Sequence, residues 1–443
     1  VERLSVSQGL KEQYWKRTRG VVRTALEQAI LVLERYGLQP EMGHKEVGGV
    51  MARFTGTGGL DHVMEQLEID WRYAASLQAA DNELFARIFI KEVFRLHGLE
   101  ATFLAKPMDH VAGSGEHIHV NAMARLADGR RVNLFAPENP ACDFLNSIGW
   151  GALMGFMKHY DTVGPFITCS NDGFARLKPG FEAPTHAVAS LGRDVATVSR
   201  NRTVLLGLIR SEGNPLATRF EIRSPNPHTN VYLALAAIYQ SMLDGIRHAV
   251  RNRRTPGDLQ REFFKEPGES ALYLDPRRAY RSEEDVFETH TEEERNARFG
   301  RPPATVHEAV TLLRSREEGL RILTEGDVFS EPILRSYMVA MLDTWKRELA
   351  DRILPEALDR VRQTRCLHQS GQDTDLDDTL WETIDALRIR IAKDTLDRPG
   401  LSSQIREALE RGDDSRVSEL QLRLSAALSE LDALYLRYRR NQV

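Results

Sequence analysis

The order of the predicted elements constrains the fold of this chain more than any other feature. Val22, Ala25, Leu26, Ala29, Ile30 and Leu33 recur at helical spacing, so residues 20–36 read as an amphipathic helix, with Gly37 placed as its C-cap. Residues 66–73 suit a strand or a helix start, and a further helix runs to about Leu96, where Gly98 ends it. Short strand-like runs follow at 101–105, 116–121, 203–210 and 218–223, each bounded by Gly, Pro or Asn. Asn226-Pro227-His228-Thr229-Asn230 then leads into an apolar helix over 231–246. Strands and helices alternate without a repeated βαβ period. This predicts an α+β fold, a curved and mainly antiparallel sheet flanked by helices, rather than a doubly wound one.

The C-terminal third has a different texture. Residues 252–302 are rich in Arg, Glu and Pro and read as a long surface excursion. Helical pattern returns at Thr305, and one or two long helices are expected over 331–365. Beyond 370, apolar spacing over 376–397 and 417–438 predicts a helical hairpin broken at Asp397-Arg398-Pro399-Gly400, with Leu420, Leu424, Leu428, Leu431 and Leu434 on one face. The expected division is therefore a domain over 1–365 and a helical appendage over 366–443. Packing explains that apolar stripe by itself; an assembly or regulatory role is the sharper alternative.

Composition removes several classes of function. The chain has 443 residues, enough for more than one domain, with 42% hydrophobic and 28% charged residues. With 59 Lys and Arg against 64 Asp and Glu, no excess of positive charge points to nucleic acid. No apolar run is long enough to span a bilayer, and Val1-Glu2-Arg3-Leu4-Ser5 lacks the apolar core of a signal peptide. Cys142, Cys169 and Cys366 are scattered, which suggests neither a disulfide framework nor a cysteine zinc site. A cytoplasmic location is the default expectation.

Five constellations carry possible chemistry. In Gly113-Ser114-Gly115-Glu116-His117-Ile118-His119, the two imidazoles share one strand face after a Gly-rich turn, which suits a metal or phosphate site, although taken alone such a pair is more often ordinary histidines. In Arg219-Phe220-Glu221-Ile222-Arg223, the charged side chains share a face, fit either for a divalent ion with phosphate or for cross-strand ion pairs. Arg176-Leu177-Lys178-Pro179-Gly180-Phe181-Glu182 reads as a flap or a plain turn. Arg200 and Arg202 form a pair able to grip carboxylate or phosphate. Glu46 and Glu68 lie on neighbouring segments and are able to share a hard cation.

Taken in order, these segments resemble the glutamine synthetase family. The matching stretches are His44-Lys45-Glu46-Val47, residues 66–73, Lys106-Pro107, residues 113–119, residues 176–184, Arg200-Asn201-Arg202, residues 219–227 and residues 230–233. Leu272-Tyr273 and Gly326-Asp327-Val328-Phe329 resemble later landmarks, and the resemblance covers roughly residues 20–350. It implies an ATP-dependent ligase that phosphorylates the side-chain carboxylate of glutamate and displaces phosphate with ammonia, giving glutamine. A γ-glutamyl-amine ligase and a catalytically silent homologue are the alternatives. ATP and Mg2+ or Mn2+ are the implied cofactors, glutamate and ammonium (or a small amine) the substrates, and a homo-oligomeric ring the assembly.

Carried onto these residues, the resemblance makes Glu46, Glu68, His117 and Glu221 metal ligands. His119 and Arg219 would bind ATP phosphates, and Gly113, Arg176 and Arg223 the amino-acid substrate. Arg202 would stabilise the transferred phosphoryl group, and Glu182 would shield the acyl phosphate and take a proton from ammonium. The pattern departs from the family at Ala112, where an Asn is usual, and at Gly207, where an Arg is usual, with Arg210 close enough to substitute. Gly-rich residues over about 50–61 separate Glu46 from Glu68 by an inserted loop, which adds little closure entropy. The family's small β-rich domain and a strand with two more metal-binding Glu find no match before Gly20, and the Val start points to a processed or trimmed chain. Tyr273 falls where some relatives carry a nucleotidylated Tyr, and it is not read as a regulatory site here.

Overall fold

The computed structural model describes residues 18, 20–51, 64–107, 112–177, 185–199, 201–211, 213–368 and 374–441, with the backbone alone at 5–6, 47–51 and 64. Two compact units divide the chain: Val1–Pro302 with Arg316–Phe329, and Pro303–Ser315 with Ser330–Val443. The boundary expected at 365 falls inside the second unit. Helices on both sides of it are bound together there: Trp345 Nε1 donates to Gln421 (2.6 Å) and Arg360 Nε donates to Asp432 (2.6 Å).

In the first unit, helix α1 (Gly20–Arg35) buries Ala25, Leu26, Ala29 and Leu33. It stops at Gly37, whose φ of 82° is reached readily without a Cβ. Strands β1 (Ser5–Val6), β2 (Pro40–Met51) and β3 (Met64–Trp71) form an antiparallel sheet in that order, which settles residues 66–73 as mostly strand. Helix α2 (Ser76–Leu96) packs with α1 on one face of this sheet, where Leu67 and Ile69 meet Ala25, Leu26, Ala29, Val93 and Phe94. The period of two then turns Gln66, Glu68 and Asp70 to the opposite face.

Strand β4 (Ile118–Val120) is followed by a small hairpin, β5 (Met123–Arg125) and β6 (Arg131–Asn133). Strands β7 (Ala189–Ser190), β8 (Leu206–Ile209) and β9 (Arg219–Ile222) join β4 in a second sheet of order β4-β9-β8-β7. All its pairings are antiparallel except β7 with β8. The strands are thus spread over small sheets. Residues 101–105, expected as a strand, join no ladder; Ala105 O instead accepts the amide of Ser114 (2.9 Å).

Helix α3 (Ser147–Lys158) crosses the later helix α5 (Val231–Arg251), and the short helix α4 (Asn171–Arg176) lies between them in the chain. The crossing is closed by glycines. A Cβ on Gly245 would overlap Gly151 O and reach Gly155 N, and one on Gly155 would overlap Ser241 O. Backbone, unlike a side-chain tip, cannot move aside cheaply. Gly245→Ala is therefore expected to cost ~3 kcal/mol through overpacking. Calorimetry should show a melting transition lowered by several degrees; an unchanged transition would refute the close crossing.

Residues 252–302 differ from expectation: they are packed into the unit rather than lying over its surface. Leu259, Phe263, Tyr273, Leu274, Tyr280 and Phe299 are buried, and Phe263 and Phe264 lie against Trp150. The aromatics interspersed among the charges supply the burial that overall polarity hid.

The second unit is helical: Val306–Ser315, Glu331–Glu348, Leu354–Gln363, α6 (Asp375–Ala392), Leu401–Glu410 and α7 (Asp414–Asn441). The expected hairpin contains an extra helix, because Gly400 serves as the N-cap of Leu401–Glu410 and Gly412, at φ 68°, turns the chain again. Leu420, Leu424 and Leu431 are buried, while Leu428 and Leu434 are half-buried. No helix among the described residues is long and apolar enough to cross a membrane.

Candidate active site

The polar face of the first sheet carries a compact donor set. His44 pairs in register with Glu68 across β2 and β3, and Glu46 follows two residues along β2, where the register shifts between Lys45 and Gly49. One donor atom each from His44, Glu46 and Glu68 lies within 4.8 Å of the others. Two carboxylates and an imidazole at that spacing suit a divalent cation of the Mg2+ or Mn2+ kind. Without a cation the carboxylates crowd each other. Burial, and then Glu46 beside it, push the Glu68 carboxyl up to about 8, so a proton sits between them near neutrality. Burial likewise raises Asp70 on the same face.

His44 was absent from the ligands inferred from the sequence. The signal was present nonetheless: His44 and Glu46 stand two apart on a strand and so share a face.

The second sheet supplies the complementary half. Phe220 and Ile222 are buried, which fixes Arg219 and Glu221 on the other face of β9, with His119 opposite Glu221 on β4. Arg223 Nη1 donates to Glu221 Oε1 (2.6 Å), and His117 Nδ1 lies 3.4 Å from the same oxygen. Arg219 Nε donates to His119 Nδ1 (2.8 Å), leaving the hydrogen on Nε2, which lies 4.0 Å from Glu221. Burial alone would raise Glu221, but the His117 contact and the Arg223 charge outweigh it and hold the carboxyl at about 2. Burial lowers His117 and takes His119 down to about 4, so both imidazoles are neutral near pH 7 and able to act as ligands.

The two halves are joined. Gln66 Nε2 on β3 donates to Gly113 O (2.9 Å) in the Gly-Ser-Gly turn. The charge of Glu221 is felt at Glu68. Gly113 is sterically required: a Cβ there would overlap Ala105 O and come within 2.9 Å of Arg176 Cγ. Arg176 is buried and donates to the carbonyls of Arg223 (3.1 Å), Ser224 (3.2 Å) and Pro225 (3.4 Å), bracing the turn that follows β9.

Arg87 on α2 completes the frame, unsignalled by any motif. It donates to Pro227 O, to Thr229 O (3.3 Å) and to Glu116 Oε2 (3.2 Å), next to His117.

The remaining inferred residues are placed less centrally or lie outside the description. Arg202 is exposed, four residues before β8. Glu182 and Arg200 lie outside the described residues. Gly207 faces Glu221 in register, with room for a Cβ 3.5 Å from Glu221 Oε2. Arg210 does not substitute there, because its guanidinium donates to Val195 O (2.6 Å) and lies over the Phe144 ring. Tyr273 is buried and donates to Asp244 Oδ2 (2.6 Å). His159, Asp244 and Glu318 form a second close group, but its charges are already matched: His159 Nε2 is 2.8 Å from Asp244, and Lys158 is 2.8 Å from Glu318.

The α+β fold thus sets a carboxylate–imidazole donor set beside strand-borne guanidiniums, groups able to hold a divalent cation and phosphate oxygens. The model of the glutamine synthetase catalytic domain matches residues 21–271, and the chain belongs to that family. It is 30% identical over 234 residues to a glutamine synthetase of Clostridium saccharobutylicum, covering 53% of this chain and 45% of that protein. It is 34% identical over 221 residues to that of Thermococcus kodakarensis, covering 50% and 42%. The chain thus spans less than half the length of these relatives. Among solved structures, apo GmaS (TM-score 0.51) and a GmaS/ADP complex (TM-score 0.52) share the fold at 21% identity, each over 74% of this chain and 60% and 61% of their own.

Proposed function

We propose that this chain carries the catalytic centre of an ATP-dependent ligase that joins ammonia to the side-chain carboxylate of glutamate. The observation that carries the reading is the junction of two donor sets. His44, Glu46 and Glu68 stand on one sheet, His117, Glu221 and Arg223 on the next, and the Gln66–Gly113 bond ties them.

A carboxylate is a poor acyl donor at neutral pH, so it is activated as an acyl phosphate before the amine attacks. Phosphoryl transfer of this kind depends on charge neutralisation and in-line positioning. Bound divalent cations would supply Lewis acidity, held by Glu46 and Glu68 with His44 on one side and by His117 and Glu221 on the other. Arg219 and His119, hydrogen-bonded to each other, present cationic and neutral donors toward nucleotide phosphates. Arg223 has its guanidinium beside the cradle for a substrate carboxylate, with Arg176 and Gly113 shaping the wall behind it. Arg202 and Glu182 are assigned to phosphoryl stabilisation and ammonium deprotonation on the family resemblance.

A second reading, a nucleotide-binding homologue without turnover, draws on Gly207, which puts no cation opposite Glu221 on β8. Phosphate release from ATP with Mg2+ or Mn2+ separates the readings. Release that requires both glutamate and ammonium is the expected result. Release with larger amines instead would identify an amine ligase, and ATP binding without release would favour the silent homologue.

A further inference from the structure

The second unit holds a polar cluster that the ligase reading does not use. After the helix Leu354–Gln363 the chain runs along the last turns of α7, and Cys366, His368, Asp378 and Tyr438 converge there. Tyr438 is fully buried, and its phenol oxygen accepts the amides of Leu367 (2.9 Å) and His368 (3.1 Å). With its lone pairs taken, the phenol directs its own hydrogen to His368 Nδ1, 2.6 Å away. The other ring nitrogen, Nε2, lies 3.0 Å from Asp378 Oδ1, so Nε2 carries the ring hydrogen and Nδ1 is the basic position.

The thiol of Cys366 is exposed and meets this arrangement. Its S–H donates to His368 O (3.6 Å), and the sulfur lies 3.6 Å from His368 Nδ1, 3.9 Å from Nε2 and 3.7 Å from the Tyr438 hydroxyl. A nucleophile, a base within reach and a carboxylate orienting the base make up the arrangement that activates thiols and hydroxyls. Burial raises the Tyr438 phenol, which therefore keeps its proton and is able to turn it toward the sulfur when the thiol ionises. Cys142 is an internal reference, since it is also exposed but its sulfur meets the amide of Asn139 (3.2 Å).

We infer that Cys366 is a modification site that exchanges with low-molecular-weight disulfides, with His368 as its base. As the Tyr438 phenol turns its hydrogen from His368 Nδ1 to the sulfur, the Cys366 S–H proton passes to Nδ1, and the sulfur attacks one sulfur of the disulfide. The S–S bond breaks, the departing thiolate leaves with the electron pair and takes the proton from His368. Cys366 is oxidised to a mixed disulfide while one half of the reagent is reduced to a thiol. The inference is independent of the ligase reading.

The test treats the full chain with glutathione disulfide and follows modification of each cysteine by peptide mass mapping. Cys366 should be modified about a hundredfold faster than Cys142 or more, the scale of general-base assistance. His368→Gln should bring the Cys366 rate down to that of Cys142 while leaving Cys142 unchanged. Asp378, whose side chain is 58% exposed, is replaceable without a packing cost, so Asp378→Asn decides the matter if His368→Gln does not fold, and it too should slow Cys366. Equal rates at the two cysteines in the unmutated chain, or a Cys366 rate unmoved by loss of its base, would overturn the inference.

Discussion

Glu221→Ala should abolish metal-supported phosphate release and weaken the fold at the same time. Loss of a ligand that gathers charge around the transferring phosphate is expected to lower kcat by about a thousandfold, or ~4 kcal/mol. The stability effect has a separate origin. The Arg223 side chain is 6% exposed and its Nη1 rests 2.6 Å from the Glu221 carboxylate. Removing that carboxylate takes a close charged partner from a buried guanidinium, a loss of ~3 kcal/mol. Chemical denaturation without metal would measure it, and an unchanged midpoint would count against the pairing.

The same pair sets a pH response. Glu221 is held at about 2 against an ordinary 4.5, so its stabilisation is present above pH 4.5 and is lost as pH falls toward 2. Glu221→Ala should lack this portion of the acid response.

The opposite sign applies at the other half of the site. Glu68 sits at about 8 in the folded chain against an ordinary 4.5, so its protonated form favours the fold below 4.5 and that contribution is lost as pH rises through 8. A cation must displace this proton. Apparent Mn2+ affinity should therefore climb by up to about tenfold per pH unit between 4.5 and 8 and then level off. Calorimetric titrations at pH ~7 in buffers of different ionisation heat should report about one proton released when this site fills. Glu46→Gln, which removes the neighbouring charge, should shrink that release. Binding with no proton release in the unmutated chain would show that Glu46 and Glu68 do not share one.

The parts of this site legible in the sequence are those governed by strand alternation. Phe220 and Ile222 could only face inward, which determined where Arg219 and Glu221 would point, and His117 and His119 followed by the same rule. The ordered motifs then suggested a common site for Glu46, Glu68, His117 and Glu221. What escaped was set by contacts distant in sequence. Arg87 gives no local sign that it reaches Pro227 and Thr229, since nothing in a helical repeat encodes a partner more than a hundred residues away. The packed character of 252–302 was hidden by averaging, because scattered aromatics among many Arg and Glu leave a polar mean while burying Phe263, Tyr280 and Phe299. The glycine-lined crossing of α3 and α5 was likewise invisible, since Gly151, Gly155 and Gly245 acquire meaning only when the helices meet.

The helices beneath the first sheet give the proposed cation cradle a rear adjustment screw. Gly43, directly before His44, rests on the side chains of Ile30 and Leu26 from α1, with its missing Cβ position 2.6 Å from Ile30 Cδ1. Trimming or lengthening Ile30 would let β2 settle or lift by tenths of an ångström and carry His44 and Glu46 with it. Discrimination between small and large divalent ions depends on such spacing. Laboratory selection for a changed ionic preference thus has productive targets among hydrophobic positions that never touch an ion.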